Sequence, residues 1–255
     1  CTITNDDEAP TITLIKNVVN DDGGTAGNND FGLTIGDSDV DSGQTLAIEA
    51  NTDYVIDEAG LDGYQFVSIE GNGCPEELGE AVNLNEGEDI VCIITNDDIA
   101  PTLTLIKNLP NDDGGTATEV DFQAYINDNP VPWNQAQTLS VGDYTASELA
   151  NVSGYTPSEW TGDCDADGNV SLAEGENKTC YITNDDIAPI LTLVKNLPND
   201  NGGTATQDDF NVYINGNLSS WGEHTLSAGP YTISEDTISG YTPSAWGTDC
   251  AANGT

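Results

Sequence analysis

The chain has 255 residues, of which 45 are acidic and only 4 are lysine or arginine, so its formal net charge is −41. Phosphate groups bind clustered basic side chains and anionic membranes repel acidic chains, so this composition argues against nucleic acid and membrane surfaces as partners. No apolar run is long enough to insert into a membrane, and the abundance of Thr, Val, Ile, Asp, Asn and Gly favours short strands joined by turns.

One segment occurs three times in the chain, as CTITNDDEAPTITLIKN from Cys1, CIITNDDIAPTLTLIKN from Cys92 and CYITNDDIAPILTLVKN from Cys180. The period of roughly 90 residues is that of a small domain. Period-two alternation and closely spaced Gly, Asp and Asn turns predict an all-β fold of tandem small β-sandwich domains. The NDDIAP linkers are too short for the domains to tumble freely.

The repeats place the domains at residues 8–98, 99–186 and 187–255. Residues 1–7 have the sequence of a closing strand, so they are expected to close a preceding or neighbouring repeat. The third domain is expected to lack its last strand or strands. Two explanations stay open at this point: the sequence is a window on a longer array, or a neighbouring copy supplies the missing strand by donor-strand exchange.

Strand alternation also turns three polar side chains of each repeat toward the expected core, a lysine near the start, a glutamate in the middle and an asparagine at the end. These residues are Lys16, Lys107 and Lys195, then Glu58, Glu148 and Glu235, then Asn5, Asn96 and Asn184. A buried lysine, glutamate and amide are costly unless they meet. Burial also favours a neutral amine and a protonated acid. The trio therefore predicts a self-catalysed isopeptide bond, in which the amine attacks the asparagine carboxamide and ammonia leaves.

In the second repeat, Lys107, Glu148 and Asn184 stand in TLTLIK, YTASE and YITN. These segments resemble the Cna-B or SpaA-like (prealbumin-like) domains of surface adhesins and pili. The resemblance implies a bond between Lys16 and Asn96 beside Glu58, and one between Lys107 and Asn184 beside Glu148. Lys195 with Glu235 then needs an asparagine beyond residue 255, or Asn5 of another copy. The alternative is that Lys107 and Glu148 form an ordinary buried ion pair.

The six cysteines are spread along the chain without a CxxC motif, which favours disulfides and an oxidising compartment. The recurrence of the spacing predicts the pairs Cys74–Cys92 and Cys164–Cys180. Cys250 is expected to pair with an equivalent of Cys1, from later in the chain or from an adjacent copy.

The stretch DCDADGNVSLAE matches the spacing of a calcium loop, with Asp163, Asp165, Asp167 and Glu174 as candidate ligands. An acidic hairpin with a glycine turn is the favoured interpretation, because the flanking segments are predicted strands rather than helices and the other two repeats break the spacing. No cofactor is required by the predicted cross-linking chemistry.

The sequence favours a structural segment of an extracellular, cell-surface stalk, adhesin or filament, which associates with neighbouring copies or further repeats. The alternative is a calcium-dependent module that binds carbohydrate or another cell. An enzyme with turnover has little support, because the single histidine, His224, is isolated and no nucleophile motif accompanies it.

Overall fold

The computed structural model describes residues 1–149, 152–247, 249–251 and 253–254. Within these residues the regular structure consists of β-strands and three single-turn 3₁₀ helices, so the predicted all-β class is confirmed. Among the described residues, no helix is long and apolar enough to span a membrane. Each 3₁₀ turn, at Asn28–Asp30, Glu119–Asp121 and Gln207–Asp209, follows a GGTA turn and ends at a buried phenylalanine.

The contacts between residues divide the chain into two compact units. The first unit comprises Cys1–Lys107, Gln123–Leu149 and Glu159–Ile182, and the second comprises Asn108–Phe122, Ala150–Ser158 and Thr183–Thr255. The first repeat therefore lies wholly in the first unit.

The strands of the first repeat are β1 (Thr11–Val19), β2 (Gly32–Ile35), β3 (Ser38–Val40), β4 (Thr45–Ala47), β5 (Asp53–Ala59), β6 (Tyr64–Glu70), β7 (Ala81–Asn83) and β8 (Asp89–Asp98). They form two four-stranded sheets of order β4-β1-β8-β6 and β3-β2-β5-β7. The first and last long strands, β1 and β8, run parallel, and every other pair in the two sheets is antiparallel. The inward side chains of both sheets make one core, which includes Ile12, Leu14, Ile56 and Ile94.

The second repeat contains β9 (Thr102–Asn108), β10 (Gln123–Ile126), β11 (Asn129–Val131), β12 (Gln137–Thr138), β13 (Gly142–Leu149), β14 (Tyr155–Pro157), β15 (Thr161–Gly162), β16 (Asn169–Leu172) and β17 (Asn177–Asp186). One sheet has the order β11-β10-β13-β16 and the other β12-β9-β17-β14, with β15 also paired to β17. Leu103, Leu105, Ile126, Trp160 and Ile182 belong to the core.

The third repeat contains β18 (Ile190–Leu193), β19 (Val212–Ile214), β20 (Asn217–Ser219), β21 (Gly222–Thr225) and β22 (Ile233–Glu235). Its sheets are smaller, with the orders β18-β21 and β20-β19-β22. Leu193, Val212, Ile214 and Ile233 form its buried core. Among the described residues, β18 has β21 as its strand partner, whereas β1 of the first repeat lies between β4 and β8.

Candidate cross-linking site

Lys16 lies in the core of the first repeat. It is on the inward face of β1 after Ile12 and Leu14, and the residue is only 2% exposed. Its ammonium group lies 4.2 Å from the centre of the Phe31 ring. Alternation along the strand forces this burial, because a residue two positions after an inward leucine must also point inward.

Two other predicted residues meet Lys16 there. Lys16 Nζ donates a hydrogen bond to Asn96 Oδ1 at 2.6 Å and lies 2.7 Å from Glu58 Oε2. Asn96 Nδ2 donates to Glu58 Oε1 at 2.7 Å. The three side chains thus form a closed ring of polar contacts, and Asn96 is as buried as Lys16.

The strand arrangement explains this meeting. Strands β1 and β8 are parallel neighbours, with Lys16 opposite Ile94 and Val18 opposite Asn96, so the lysine stem reaches along the sheet to the amide. Glu58 belongs to β5 in the other sheet, paired with Leu33 of β2. A first strand, a last strand and the opposite sheet each contribute one group.

Burial lowers the pKa of Lys16, because desolvation disfavours the charged ammonium, although Glu58 opposes this through its hydrogen bond and its charge. A lowered pKa increases the fraction of neutral amine. Glu58 contacts both the lysine nitrogen and the amide nitrogen of Asn96. It is therefore placed to accept a proton from one nitrogen and deliver it to the other, and it faces the amide nitrogen of Asn96 rather than its carbonyl oxygen.

The second repeat has an equivalent ion pair between Lys107 and Glu148, and both side chains are almost completely buried. Lys107 Nζ lies 5.4 Å from the Trp133 ring. Desolvation again lowers the pKa of Lys107, opposed by Glu148. Asn184 is 1% exposed on the inward face of β17. It belongs to the second compact unit, whereas Lys107 and Glu148 belong to the first.

In the third repeat, Lys195 pairs with both carboxylate oxygens of Glu235, at 2.8 and 2.7 Å. This pair is more accessible, with side chains 11% and 12% exposed. Rings of Phe210 and Trp221 lie 4.0 and 5.7 Å from the ammonium. Asn5 lies in an exposed N-terminal segment that forms no strand.

Both predicted disulfides are present, Cys74–Cys92 and Cys164–Cys180. Cys92 and Cys180 are fully buried on the closing strands, four residues before the asparagines Asn96 and Asn184. Cys1 is an exposed thiol and Cys250 a partly buried one.

In the predicted calcium loop, two of the four candidate ligands accept hydrogen bonds from the backbone. Asp165 accepts hydrogen bonds from the backbone of Asp167 and Asn169, and Asp163 accepts one from the Thr179 amide. Among the described residues, the acidic groups that converge closely are elsewhere, as Asp21, Asp22 and Asp98 and as Asp112, Asp113 and Asp186. Asp163, Asp165, Asp167 and Glu174 do not form such a group.

Two further carboxylates are buried, Asp98 and Asp186, which are 2% and 6% exposed. For Asp97 and Asp98, at a domain junction, the sequence offered two interpretations, a calcium site that stiffens the array or a solvated charge run. Asp98 and Asp186 are the last residues of β8 and β17. Strand alternation could have predicted their burial, because each stands two positions after an inward asparagine. The surrounding TNDD sequence instead had the appearance of a solvated linker.

A family model for the prealbumin-like fold domain, SpaA_2, matches residues 7–94, 98–182 and 186–255. The chain belongs to this family. Its three matched segments make it a tandem prealbumin-like protein, and they correspond to the three repeats found above. The comparison with curated protein sequences gave no match.

Several solved structures are similar to this prealbumin-like chain. The Bacillus anthracis TIE protein is 16% identical over 92% of this chain, with a TM-score of 0.44, and this chain spans 46% of that one. A C-terminal fragment of the pilus adhesin SpaC from Lactobacillus rhamnosus GG is 15% identical over 73% of this chain and 100% of its own, with a TM-score of 0.33. Two B repeat units of the Staphylococcus aureus collagen-binding protein Cna are 14% identical over 91% of this chain and 69% of their own, with a TM-score of 0.25.

Proposed function

We propose that this chain is a structural segment of an extracellular surface stalk, adhesin or filament, whose repeats are closed by self-formed Lys–Asn isopeptide bonds. The observation that carries the proposal is the buried ring of Lys16, Glu58 and Asn96. Membership of the prealbumin-like family and the disulfides, which suit an oxidising compartment, support the extracellular setting.

The reaction begins with transfer of a proton from the Lys16 ammonium to Glu58 across their 2.7 Å contact. The neutral amine then attacks the side-chain carbonyl carbon of Asn96, since its nitrogen already lies 2.6 Å from Oδ1. Glu58 passes protons from the attacking nitrogen to Nδ2, which leaves as ammonia. One C–N bond forms and one breaks, so neither an oxidant nor a cofactor is needed. The same chemistry is proposed for Lys107, Glu148 and Asn184.

The mechanical consequence follows from the topology. Strands β1 and β8 are the first and last long strands of the first repeat and lie side by side. A covalent bond between them carries tension directly from the start of the repeat to its end. The strands in between are then shielded from load.

Intact mass under reducing, denaturing conditions tests the bond. The chain should be lighter than its sequence mass by one ammonia for each bond, and therefore by two if the first and second repeats are both closed. Glu58→Ala should restore one ammonia. The matched control is Asp57→Ala, which removes the neighbouring exposed carboxylate and should leave the mass deficit unchanged. A wild-type mass equal to the sequence mass contradicts the proposal.

For the third repeat, we propose closure by strand addition from a further repeat or another copy. Three observations support this: an accessible Lys195–Glu235 pair, a Cys250 thiol outside any disulfide, and an exposed segment 1–7 with the sequence of a closing strand. In a buffer containing glutathione disulfide as the two-electron oxidant, a synthetic peptide of residues 1–7 should form a disulfide between its Cys1 and Cys250. It should then lose ammonia as Lys195 attacks the Asn5 carboxamide. The Asn5→Ala peptide should form only the disulfide. Failure of the parent peptide to lose ammonia counts against this joint but leaves the bond in the first repeat untouched.

Calcium binding at Asp163, Asp165, Asp167 and Glu174 stays a prediction, and with it the calcium-dependent binding module. A loop that engages calcium there must release the carboxylate of Asp165 from its own backbone.

A further inference from the structure

The NDDGG loop of the first repeat is held in place by two side chains. The Tyr64 hydroxyl donates to Asn20 Oδ1 at 2.6 Å and accepts from the Ala26 amide at 2.9 Å. The Asp98 carboxylate accepts from the amides of Asp22 at 3.1 Å and Gly24 at 2.6 Å. These backbone donors satisfy a carboxylate that is 2% exposed.

The loop packs tightly against this carboxylate. A Cβ atom at Gly24 would lie 2.3 Å from the Tyr64 hydroxyl and 2.8 Å from Asp98 Cβ. Glycine is therefore required there, because any side chain would push the loop away from Asp98.

The other side of the same loop contacts the second repeat. The amide of Val141 donates to the carbonyl of Asp22 at 2.7 Å. Gly23 has φ of +95°, and a Cβ atom there would lie 3.1 Å from Val141 Cβ. The loop thus lies between the end of its own closing strand and the next repeat.

The second compact unit contains the same arrangement. Asp186 accepts from the amides of Asp113 and Gly115, at 3.2 and 2.5 Å. The Tyr155 hydroxyl contacts the loop as Tyr64 does, with a 2.7 Å bond to an asparagine oxygen. The amide of Ala228, from the third repeat, donates to the carbonyl of Asp113 at 2.6 Å.

We infer that Asp98 and Asp186 are latch residues that couple closure of one repeat to docking of the next. Each is the last residue of its closing strand, so it reaches the loop only when that strand has paired. Without it the two loop amides lose their buried acceptor, and the carbonyl that receives the next repeat is no longer fixed. The latch is a set of hydrogen bonds, so it does not depend on the isopeptide bond.

The third repeat provides an internal reference. Its loop has the tyrosine contacts, with Tyr241 bound to Asn199 at 2.9 Å and to the Ala205 amide at 2.9 Å. Within the described part of the chain, no carboxylate accepts from the amide of Gly203, the counterpart of Gly24. The Gly203 amide should therefore exchange with solvent faster than the Gly24 and Gly115 amides.

Amide hydrogen exchange on the full chain, resolved by residue, tests the latch. In Asp98→Ala, protection of the Gly24 and Val141 amides should fall by about tenfold or more, while Ala228 keeps its protection. In Asp186→Ala, the Gly115 and Ala228 amides should lose protection while Val141 keeps it. Asp97→Ala, which removes the adjacent carboxylate of the same strand, should change neither junction.

Retention of Val141 protection in Asp98→Ala would overturn the coupling, even if Gly24 is exposed. Asp98→Ala could also weaken the hydrogen bonds of β8 itself. Gly24→Ala separates loss of the loop contact from loss of strand pairing, because it displaces the loop and changes no residue of β8. Val141 must then lose protection while the Ile94 amide keeps it. An unchanged Val141 amide in Gly24→Ala contradicts the inference.

Discussion

Lys16 shows how one residue can be costly for the fold and useful for chemistry. Its side chain is completely buried among apolar neighbours, which lowers its pKa and destabilises the charged form. Glu58 and Asn96 satisfy its polar atoms, so the penalty of burial is offset only while all three are present. The same burial that makes the trio costly as an ion pair favours the neutral amine that the proposed reaction requires.

Asp22 is a second residue whose ionisation bears on stability. Its pKa is raised above 3.8 by desolvation first, and then by the negative charges of Asp21, Asp98 and Asp97. An acid with a raised folded-state pKa contributes most to stability below its unfolded pKa, and that contribution is lost as the pH rises through the folded value. The charge of Asp22 therefore disfavours the folded loop at neutral pH.

Asp22→Asn should accordingly raise the thermal midpoint at pH 7 and leave it nearly unchanged at about pH 3, where the native side chain is protonated. Calorimetric melting at the two pH values measures the difference. Asp37→Asn, at an exposed turn residue, is the control and should give a smaller gain at pH 7. An equal gain from Asp22→Asn at both pH values contradicts the stated origin of the pKa shift.

Among the elements, the closing strand shows how far the sequence predicts this protein. Alternation along CIITN correctly predicted that Cys92, Ile94 and Asn96 point into the core, and the recurrence of cysteines predicted the disulfides. The lysine and glutamate positions followed from the same rule. These features are local, since strand parity fixes them wherever the strand pairs.

The sequence did not predict that β8 continues inward to Asp98. The donors that satisfy this carboxylate come from a loop more than seventy residues earlier, at Asp22 and Gly24. Nor did the spacing of the predicted calcium loop show that Asp165 would bind its own backbone. Both outcomes depend on which backbone amides meet a carboxylate after folding, and residue spacing carries no information about that.

Removal of the second disulfide tests how much it stabilises β17, the closing strand of the second repeat. Cys164→Ser with Cys180→Ser should lower the free energy of unfolding by about 3 kcal/mol, because the bridge closes a short loop of the unfolded chain. Urea unfolding can be followed by the fluorescence of Trp133 and Trp160, which stack in this repeat, after Trp221 and Trp246 are replaced by phenylalanine. Cys250→Ser is the control. A loss below about 1 kcal/mol would show that the hydrogen-bonded strand needs no brace.

At the scale of the whole molecule, the charge is nearly all of one sign. All four lysines are paired with glutamates, and three of these pairs, at Lys16, Lys107 and Lys195, are largely buried, so they neutralise little of the surface. A net charge of −41 therefore acts as repulsion among exposed carboxylates. At physiological ionic strength, salt screens such repulsion between exposed charges that are more than about 8 Å apart.

The thermal midpoint should consequently rise as sodium chloride is increased from about 0.01 to 0.15 M, where the screening length falls from about 30 to 8 Å. Calcium chloride at matched ionic strength separates screening from specific binding. Equal midpoints in the two salts indicate screening alone, whereas a higher midpoint in calcium supports the calcium prediction. A midpoint that falls with added salt contradicts the account of surface repulsion.

The most direct test of the central claim is tryptic mapping of the four lysines in the reduced, denatured chain. An isopeptide-bonded lysine is not cleaved, so cleavage should occur after the solvent-accessible Lys178 and be absent after Lys16 and Lys107. No other lysine or arginine lies before Lys178, so the Lys16–Asn96 bond should appear as a loop within the uncut peptide 1–178. The Lys107–Asn184 bond should join that peptide to peptide 179–195 as a branched product, and Glu58→Ala should restore cleavage after Lys16 alone. Complete cleavage of the wild-type chain after both Lys16 and Lys107, with no branched peptide, would contradict the account.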